Sequence, residues 1–214
     1  EVAMAEYVLG TMIEYELGFC AAGSRFRSHG WEGRQPGGGA EHGEIFGKTL
    51  GIIGYGHIAR EVAVRAKAFG LKLIAVSRTP RPTPEPLDRL ETMDGLERLL
   101  GESDYVLNTL PLSEETRGLI DAGRLAQMKP TGVMINVGRG RTIDEEAFYK
   151  ALAEKRIRGA IIDVWYGYPS DDNPDRPASK FPYHELDNVT MTPHFSAITE
   201  ATRLRRWSAV ARNL

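Results

Sequence analysis

The sequence predicts an α/β fold built on a doubly wound parallel sheet, and three observations carry that prediction. After Lys48, short apolar runs rich in Val, Ile and Leu recur, as strands covered on both faces require. The runs alternate with helical stretches, which implies right-handed crossovers between parallel strands. The first run leads directly into a glycine-rich turn at the head of a helix.

From Val2 to about Phe19 apolar residues recur at three- and four-residue intervals (Val2, Met4, Ala5, Val8, Leu9, Met12, Ile13, Leu17), the stripe of a helix that must bury one face. The single cysteine, Cys20, continues this pattern and reads as a small core residue; it excludes an intrachain disulfide and fits a reducing cytosol. "GWEGRQPGGGAEHGEIFGKT" has little to bury and reads as a loop or arm. Six runs then follow: "TLGIIG", "LKLIAVS", "YVLNTL", "GVMINVG", "GAIIDVW" and "NVTMTP". They predict six strands in the order 3-2-1-4-5-6. Helices are expected at roughly 57 to 69, 95 to 101, 116 to 128 and 144 to 154. "TIDE", at Thr142 to Glu145, offers a capping box for the last of these. "TPRPTPEP" reads as a surface loop, and "EATRLRRWSAVARNL" as a closing helix. The expected division is a helix and arm at 1–46, a dinucleotide-binding domain at 47–195 and a C-terminal helix at 196–214.

With 42% apolar and 26% charged residues, the chain can bury one good-sized core. Its 27 basic and 29 acidic residues give a net charge of −2, so the total charge points to neither a nucleic-acid partner nor a membrane surface. No apolar run approaches a membrane span, no leader is visible, and no His or Cys cluster has metal-ligand spacing. The chain opens without Met inside a helical pattern and is expected to be part of a longer protein.

"GIIGYGHIAR" sets Gly54, Gly56 and Ala59 between the first strand and its helix. Gly54 permits the tight turn, Gly56 lets a pyrophosphate approach the backbone, and small Ala59 lets helix and strand pack closely. Tyr55, His57 and Ile58 complete a turn whose free N–H groups face the phosphates. A dinucleotide is the expected ligand. At the end of the second run, where an acid would accept bonds from the ribose hydroxyls, "VSRT" places Ser77 and Arg78. Ser77 can donate to a 2′-phosphate and Arg78 can pair with it, so NADP is expected over NAD.

"TLPLSEETRGLI", "MINVGRGRTIDEEA" and "TPHFSAIT" follow in an order and at intervals that resemble the D-isomer-specific 2-hydroxyacid dehydrogenases over nearly the whole chain. The resemblance implies a Rossmann-type cofactor domain of a two-domain enzyme, with the other domain built mostly from residues ahead of this chain. It implies that Arg139 binds the substrate carboxylate and carbonyl, work that suits a planar guanidinium. His194 would exchange the proton, since an imidazole pKa of ~6.5 serves both directions near neutrality. His29, His42, His57 and His184 show no comparable setting. By the same resemblance Asp163 contacts the nicotinamide carboxamide, although a carboxylate that caps loop amides explains it as well. Leu110, Pro111 and Thr116 match the adenine-side wall, Val137 and Gly138 bring backbone to the nicotinamide ribose, and Ser196 joins the cofactor set. Apolar packing alone would also explain Leu110 and Val137.

One position departs from the family. Most members carry a Glu five residues beyond the Asp163 position to pair with the catalytic His, and here "DVWYGYPSDD" has Tyr168. Three readings stay open: Tyr168 hydrogen-bonds and orients His194, Asp171 or Asp172 turns in from the loop, or efficient acid–base chemistry is lost. The expected function is an NADP-dependent reductase of small 2-oxo acids, such as glyoxylate or hydroxypyruvate, acting as a cytoplasmic homodimer. The alternatives are a dinucleotide-binding sensor or scaffold without turnover, and an NAD-dependent oxidation like that of formate dehydrogenase.

Overall fold

The computed structural model describes residues 1–31 and 41–212. The central part of the glycine-rich arm lies outside the described residues. Two helices open the chain, α1 (Val2–Leu17) and α2 (Phe19–His29). The alternating part then runs β1 (Thr49–Ile53), α3 (His57–Ala68), β2 (Lys72–Ser77), β3 (Arg89–Thr92), α4 (Leu96–Glu102) and β4 (Tyr105–Asn108). It continues α5 (Ala122–Leu125), β5 (Val133–Asn136), α6 (Glu145–Ala153), β6 (Gly159–Ile162), β7 (Val189–Met191) and α7 (Glu200–Arg212).

The strands form one parallel sheet in the order β3-β2-β1-β4-β5-β6-β7. All six apolar runs are strands, but the sheet has seven. Arg89–Thr92 takes the edge beyond β2, while β4 lies beside β1. No apolar run marks β3 because an edge strand is covered on fewer sides: its residues are all half-buried. Arg89 pairs with Glu102 at 2.6 Å and Glu91 pairs with Arg98, so charges blunt an otherwise open edge.

Alternation along the strands sends side chains to two cores. Leu73 and Ala75 of β2 join α1 and α3 on one face; Ile74 and Val76 join α4, α5 and α6 on the other. The α3 surface is small, with Ala59, Ala63 and Ala66 fully buried, and Val8, Leu9 and Met12 of α1 pack in the same core. The first helix therefore lies within the sheet's own apolar layer. It ends at Gly18, whose left-handed φ of 59° turns the chain into α2. Cys20 on α2 is exposed, contrary to its expected place in a core, because the chain leaves the sheet at that turn.

Two further local expectations are corrected. The segment 116–128 is helical only at Ala122–Leu125; Gly118, at φ 58°, interrupts it. Asp144, not Thr142, caps α6, with its carboxylate accepting from the Ala147 N–H at 2.8 Å. Thr142 is fully buried and bonds elsewhere.

At the amino edge of the sheet a buried charge ties α1 down. The Glu16 carboxylate, with 2% of its side chain exposed, accepts from Lys48 Nζ at 2.5 Å, Arg158 Nη1 at 2.7 Å and the Tyr105 hydroxyl. Burial alone would push its pKa up; the bonds from Arg158, Lys48 and Tyr105 outweigh burial and hold it at about 2. Among the described residues no helix is long and apolar enough to cross a membrane.

Candidate active site at the carboxyl edge

Chain direction decides which side chains meet. Because every strand is parallel, the turns after β1, β2, β4, β5, β6 and β7 all open at the carboxyl edge of the sheet, the usual place for ligands in such folds. The predicted residues of "GYGHI", "VSR", "LP", "VGR", "DVW" and "PHFS" fall on those turns.

Gly54 has φ 88° and donates to the Val76 carbonyl at 2.9 Å, stitching β1 to β2. A Cβ there would stand 2.9 Å from Leu110 Cδ2. Gly56 differs, since a Cβ would meet nothing within 4 Å. It stands at the N-terminus of α3, which no side chain caps, so the first-turn N–H groups face open space. That uncapped helix end and the open approach at Gly56 suit the phosphates of a dinucleotide. Ala59 is buried, Tyr55 nearly so, Ile58 half-buried, and His57 exposed.

At the end of β2, Ser77 is buried and its hydroxyl donates to the Thr79 carbonyl at 3.0 Å. Arg78 is exposed and makes no hydrogen bond or ion pair among the described residues. Arg81, which the sequence reading passed over, donates to the Tyr55 carbonyl at 2.7 Å and lies over the Tyr55 ring, 5.5 Å from its centroid. The Arg81 guanidinium thus lies against the glycine turn, and Arg78 directly follows β2 at the same edge. After β4 Leu110 is buried, Pro111 is exposed, and Thr116 ties the loop by donating to the Pro111 carbonyl at 2.7 Å.

A polar network inside the sheet supports this edge. Asn108 Nδ2 donates to Asn136 Oδ1 at 3.0 Å and to Thr142 Oγ1 at 2.7 Å, while Thr142 Oγ1 donates to the Arg139 carbonyl at 2.6 Å. Asn136 also accepts from the Gly138 N–H at 3.2 Å. All three side chains are buried. They fix the backbone from Val137, itself buried, to Arg139, whose exposed guanidinium donates to the Gly138 carbonyl at 2.7 Å. A Cβ on Gly138 would come within 2.6 Å of the Leu110 carbonyl, so only glycine lets these two turns touch. Two strands that end in Asn, "YVLN" and "VMIN", were the available signal.

Asp163 is completely buried beyond β6 and takes the loop-capping role. Its carboxylate accepts from Thr192 Oγ1 at 2.6 Å, the Phe195 N–H at 3.0 Å and the Ser196 N–H at 3.1 Å. Between those anchored positions His194 is held at φ 57°, an uncommon conformation for a side-chain-bearing residue. Tyr7 of α1 braces the same loop: its hydroxyl bonds Thr192 Oγ1 at 2.8 Å and its ring meets Phe195 edge-on. Burial, partly offset by the bond to Thr192, pushes the Tyr7 hydroxyl up to about 12. The Ser196 hydroxyl is buried without a partner, a polar atom suited to a ligand amide.

Tyr168 does not hydrogen-bond His194. Its hydroxyl accepts from the Trp165 N–H at 2.9 Å, and its ring packs against the imidazole with centroids 5.4 Å apart. Asp171 and Asp172 are exposed in a turn closed between Ser170 and Asn173.

Residues 9–196 match the family described as D-isomer specific 2-hydroxyacid dehydrogenase, NAD binding domain. The chain belongs to the D-isomer specific 2-hydroxyacid dehydrogenases. A glyoxylate reductase of Thermococcus onnurineus is 40% identical over 175 residues, 80% of this chain and 48% of that protein. The chain spans about half the length of these curated relatives. Among solved structures, an acyclic imino acid reductase in complex with NADPH and D-Arg superposes with a TM-score of 0.81 and 29% identity, covering 99% of this chain and 63% of that one. The NADPH-dependent glyoxylate/hydroxypyruvate reductase of Sinorhizobium meliloti, in complex with NADP and sulfate, gives 0.77 and 27%, covering 98% and 64%. The match is to the family's NAD binding domain, and the chain has the Rossmann-type parallel sheet of such a domain.

Proposed function

We propose that this chain is the cofactor domain of an NADP-dependent reductase that acts on small 2-oxo acids. The observation that carries the proposal is the lock on His194: a buried carboxylate spends three hydrogen bonds to hold an exposed imidazole in a disfavoured conformation at the ligand edge. Strain of this kind, of order 1 kcal/mol, persists where the surroundings over-determine it, and it clusters at functional sites.

In this reading the bound nicotinamide supplies the hydride. The α3 N-terminus and Gly56 take the pyrophosphate, with Tyr55, His57 and Ile58 around it. Leu110, Pro111 and Thr116 wall the adenine side, Val137 and Gly138 face the ribose, and the Ser196 hydroxyl, on the loop that Asp163 caps, meets the carboxamide end. Arg139 holds the substrate carboxylate, and His194 meets the group that the hydride reduces. Arg78 and Arg81 receive the 2′-phosphate, while Ser77, whose hydroxyl donates to the Thr79 carbonyl, stands where an acid would repel it, a preference supported by the absence of any acid at the end of β2. We place the enzyme in the cytoplasm as a homodimer.

The full-length protein assayed with NADPH and a panel including glyoxylate and hydroxypyruvate tests this reading. Substituting His194→Ala is expected to lower kcat roughly 10²- to 10⁴-fold while cofactor binding persists. Binding without turnover, unchanged in that variant, would favour the sensor or scaffold instead. Arg78→Ala should cut kcat/KM for NADPH and spare NADH; equal losses with both cofactors would remove the NADP preference.

A further inference from the structure

We propose that the chain carries a second anion site, separate from that of the dinucleotide, for a compact polyanion with two or more phosphate or carboxylate groups. A cavity of about 660 Å³ lies where the turns after β4, β5 and β6 meet the segment 173–180. None of its lining residues is among those assigned to cofactor or substrate. Its walls carry four cations, Arg117, Arg141, Arg176 and Lys180, against two carboxylates, Asp144 and Glu145. This positive surplus runs against the net charge of −2 of the whole chain. Like charges gathered round one cavity repel each other, and a bound anion relieves that repulsion.

Both carboxylates are engaged in holding the walls. Asp144 caps α6 through the Ala147 N–H, and Glu145 Oε1 accepts from Ser179 Oγ at 2.8 Å and from the Lys180 N–H at 2.9 Å. The cations are less committed. Arg141 Nη2 donates to the Tyr166 carbonyl at 3.3 Å. Arg117 stands 3.6 Å from a Glu114 side chain that is 89% exposed, a pair of little worth in water. Among the described residues the side chains of Arg176 and Lys180 make no hydrogen bond or ion pair.

The backbone that bears these cations is pinned at each turn. The Ala178 carbonyl accepts from the Tyr166 N–H at 3.1 Å and the Gly167 N–H at 2.9 Å, and the Gly118 N–H donates to the Arg141 carbonyl at 2.9 Å. A Cβ on Gly140 would clash with the Trp165 carbonyl, and one on Gly167 with the Pro177 carbonyl, so glycine lets these segments close on one another. Three guanidinium groups suit the paired oxygens of phosphate or carboxylate, and Lys180 adds a compact charge. The volume is that of a small-ligand site.

Calorimetry on the full-length protein tests the site, with inorganic pyrophosphate and citrate as probes and the nicotinamide dinucleotide at saturation, so that its own phosphate path is filled. One site per chain is expected for at least one probe, and the tighter of the two tells phosphate from carboxylate as the preferred group. Replacing Arg176→Ala and Lys180→Ala together should weaken that binding at least roughly 10-fold. Added KCl should weaken it as well. Arg139→Ala, which removes the proposed substrate anchor, should leave it unchanged. Because the Arg176 and Lys180 side chains are exposed, the double variant should keep the circular dichroism of the parent; Arg117→Ala gives the same direction independently. No binding of either probe, as when the rest of the full-length chain covers the cavity, overturns the inference. Equal affinity in the double variant, or binding lost in Arg139→Ala, overturns it too. Each of these results leaves the reductase reading intact, since turnover with NADPH tests that separately.

Discussion

Gly54 and Gly56 stand two positions apart, yet glycine is required at each for a different reason. Gly54 has a left-handed φ and a neighbour at 2.9 Å from any added Cβ, so Gly54→Ala should cost at least about 1 kcal/mol of stability as well as the cofactor. Gly56 has an ordinary extended φ of −95° and open space around it. Gly56→Ala should therefore leave the urea midpoint unchanged while NADPH affinity, read by fluorescence titration, drops about 10-fold or more. Loss of stability at Gly56, or full affinity there, would contradict the proposed pyrophosphate path. Asp163 carries a third prediction at this scale. Removing it in Asp163→Ala strands three donors, so unfolding should become easier by roughly 3–5 kcal/mol. A near-neutral substitution would mean that the His194 loop holds its shape without it.

At the scale of elements, α1 is joined to the amino edge of the sheet by Glu16. A carboxyl held near 2 when folded and near its ordinary 4.5 when unfolded binds more protons in the unfolded state below about pH 5, so stability rises with pH across that window. The contribution is complete above about pH 5, amounts to roughly 3 kcal/mol, and is lost as pH falls toward 2. Urea melts of the native protein and Glu16→Gln should thus differ most at pH 7 and converge as pH falls toward 2. A constant gap would place the cost in packing instead. Because α1 also presents Tyr7 to Thr192, docking of this helix is linked to the shape of the His194 loop at the opposite edge.

For the whole molecule, α2 and the turn after it expose an aromatic cluster. Phe19, Phe26 and Trp31 are each half or more exposed, and Phe26 packs edge-on against Trp31 at 5.1 Å between centroids. Such a cluster suits burial against a second copy. Light scattering on the full-length protein is expected to give the mass of a dimer, and a Phe19→Glu, Phe26→Glu variant should run as a monomer with its circular dichroism intact. A monomeric parent would leave the aromatic face to some other contact.

The parallel sheet, its six apolar strands and the glycine turn were legible because burial on both faces writes continuous apolar runs, and a tight backbone approach to a ligand writes glycine. The edge strand β3 left no such mark, being four half-buried residues whose charges pair sideways. Motif order singled out Arg139, His194 and Asp163, since each lies at the end of a recognisable run. What each carboxylate or hydroxyl faces was not legible: hydrogen-bond partners such as Asp163 with Ser196, or Asn108 with Thr142, are 33 and 34 residues apart. The glycine turn after the first strand points to a dinucleotide, and the resemblance of the later motifs names the side chains expected beside it. Only the tertiary structure decided that Asp163 is spent on the loop and that Tyr168 offers His194 a ring rather than a charge, because contact direction depends on how distant turns converge.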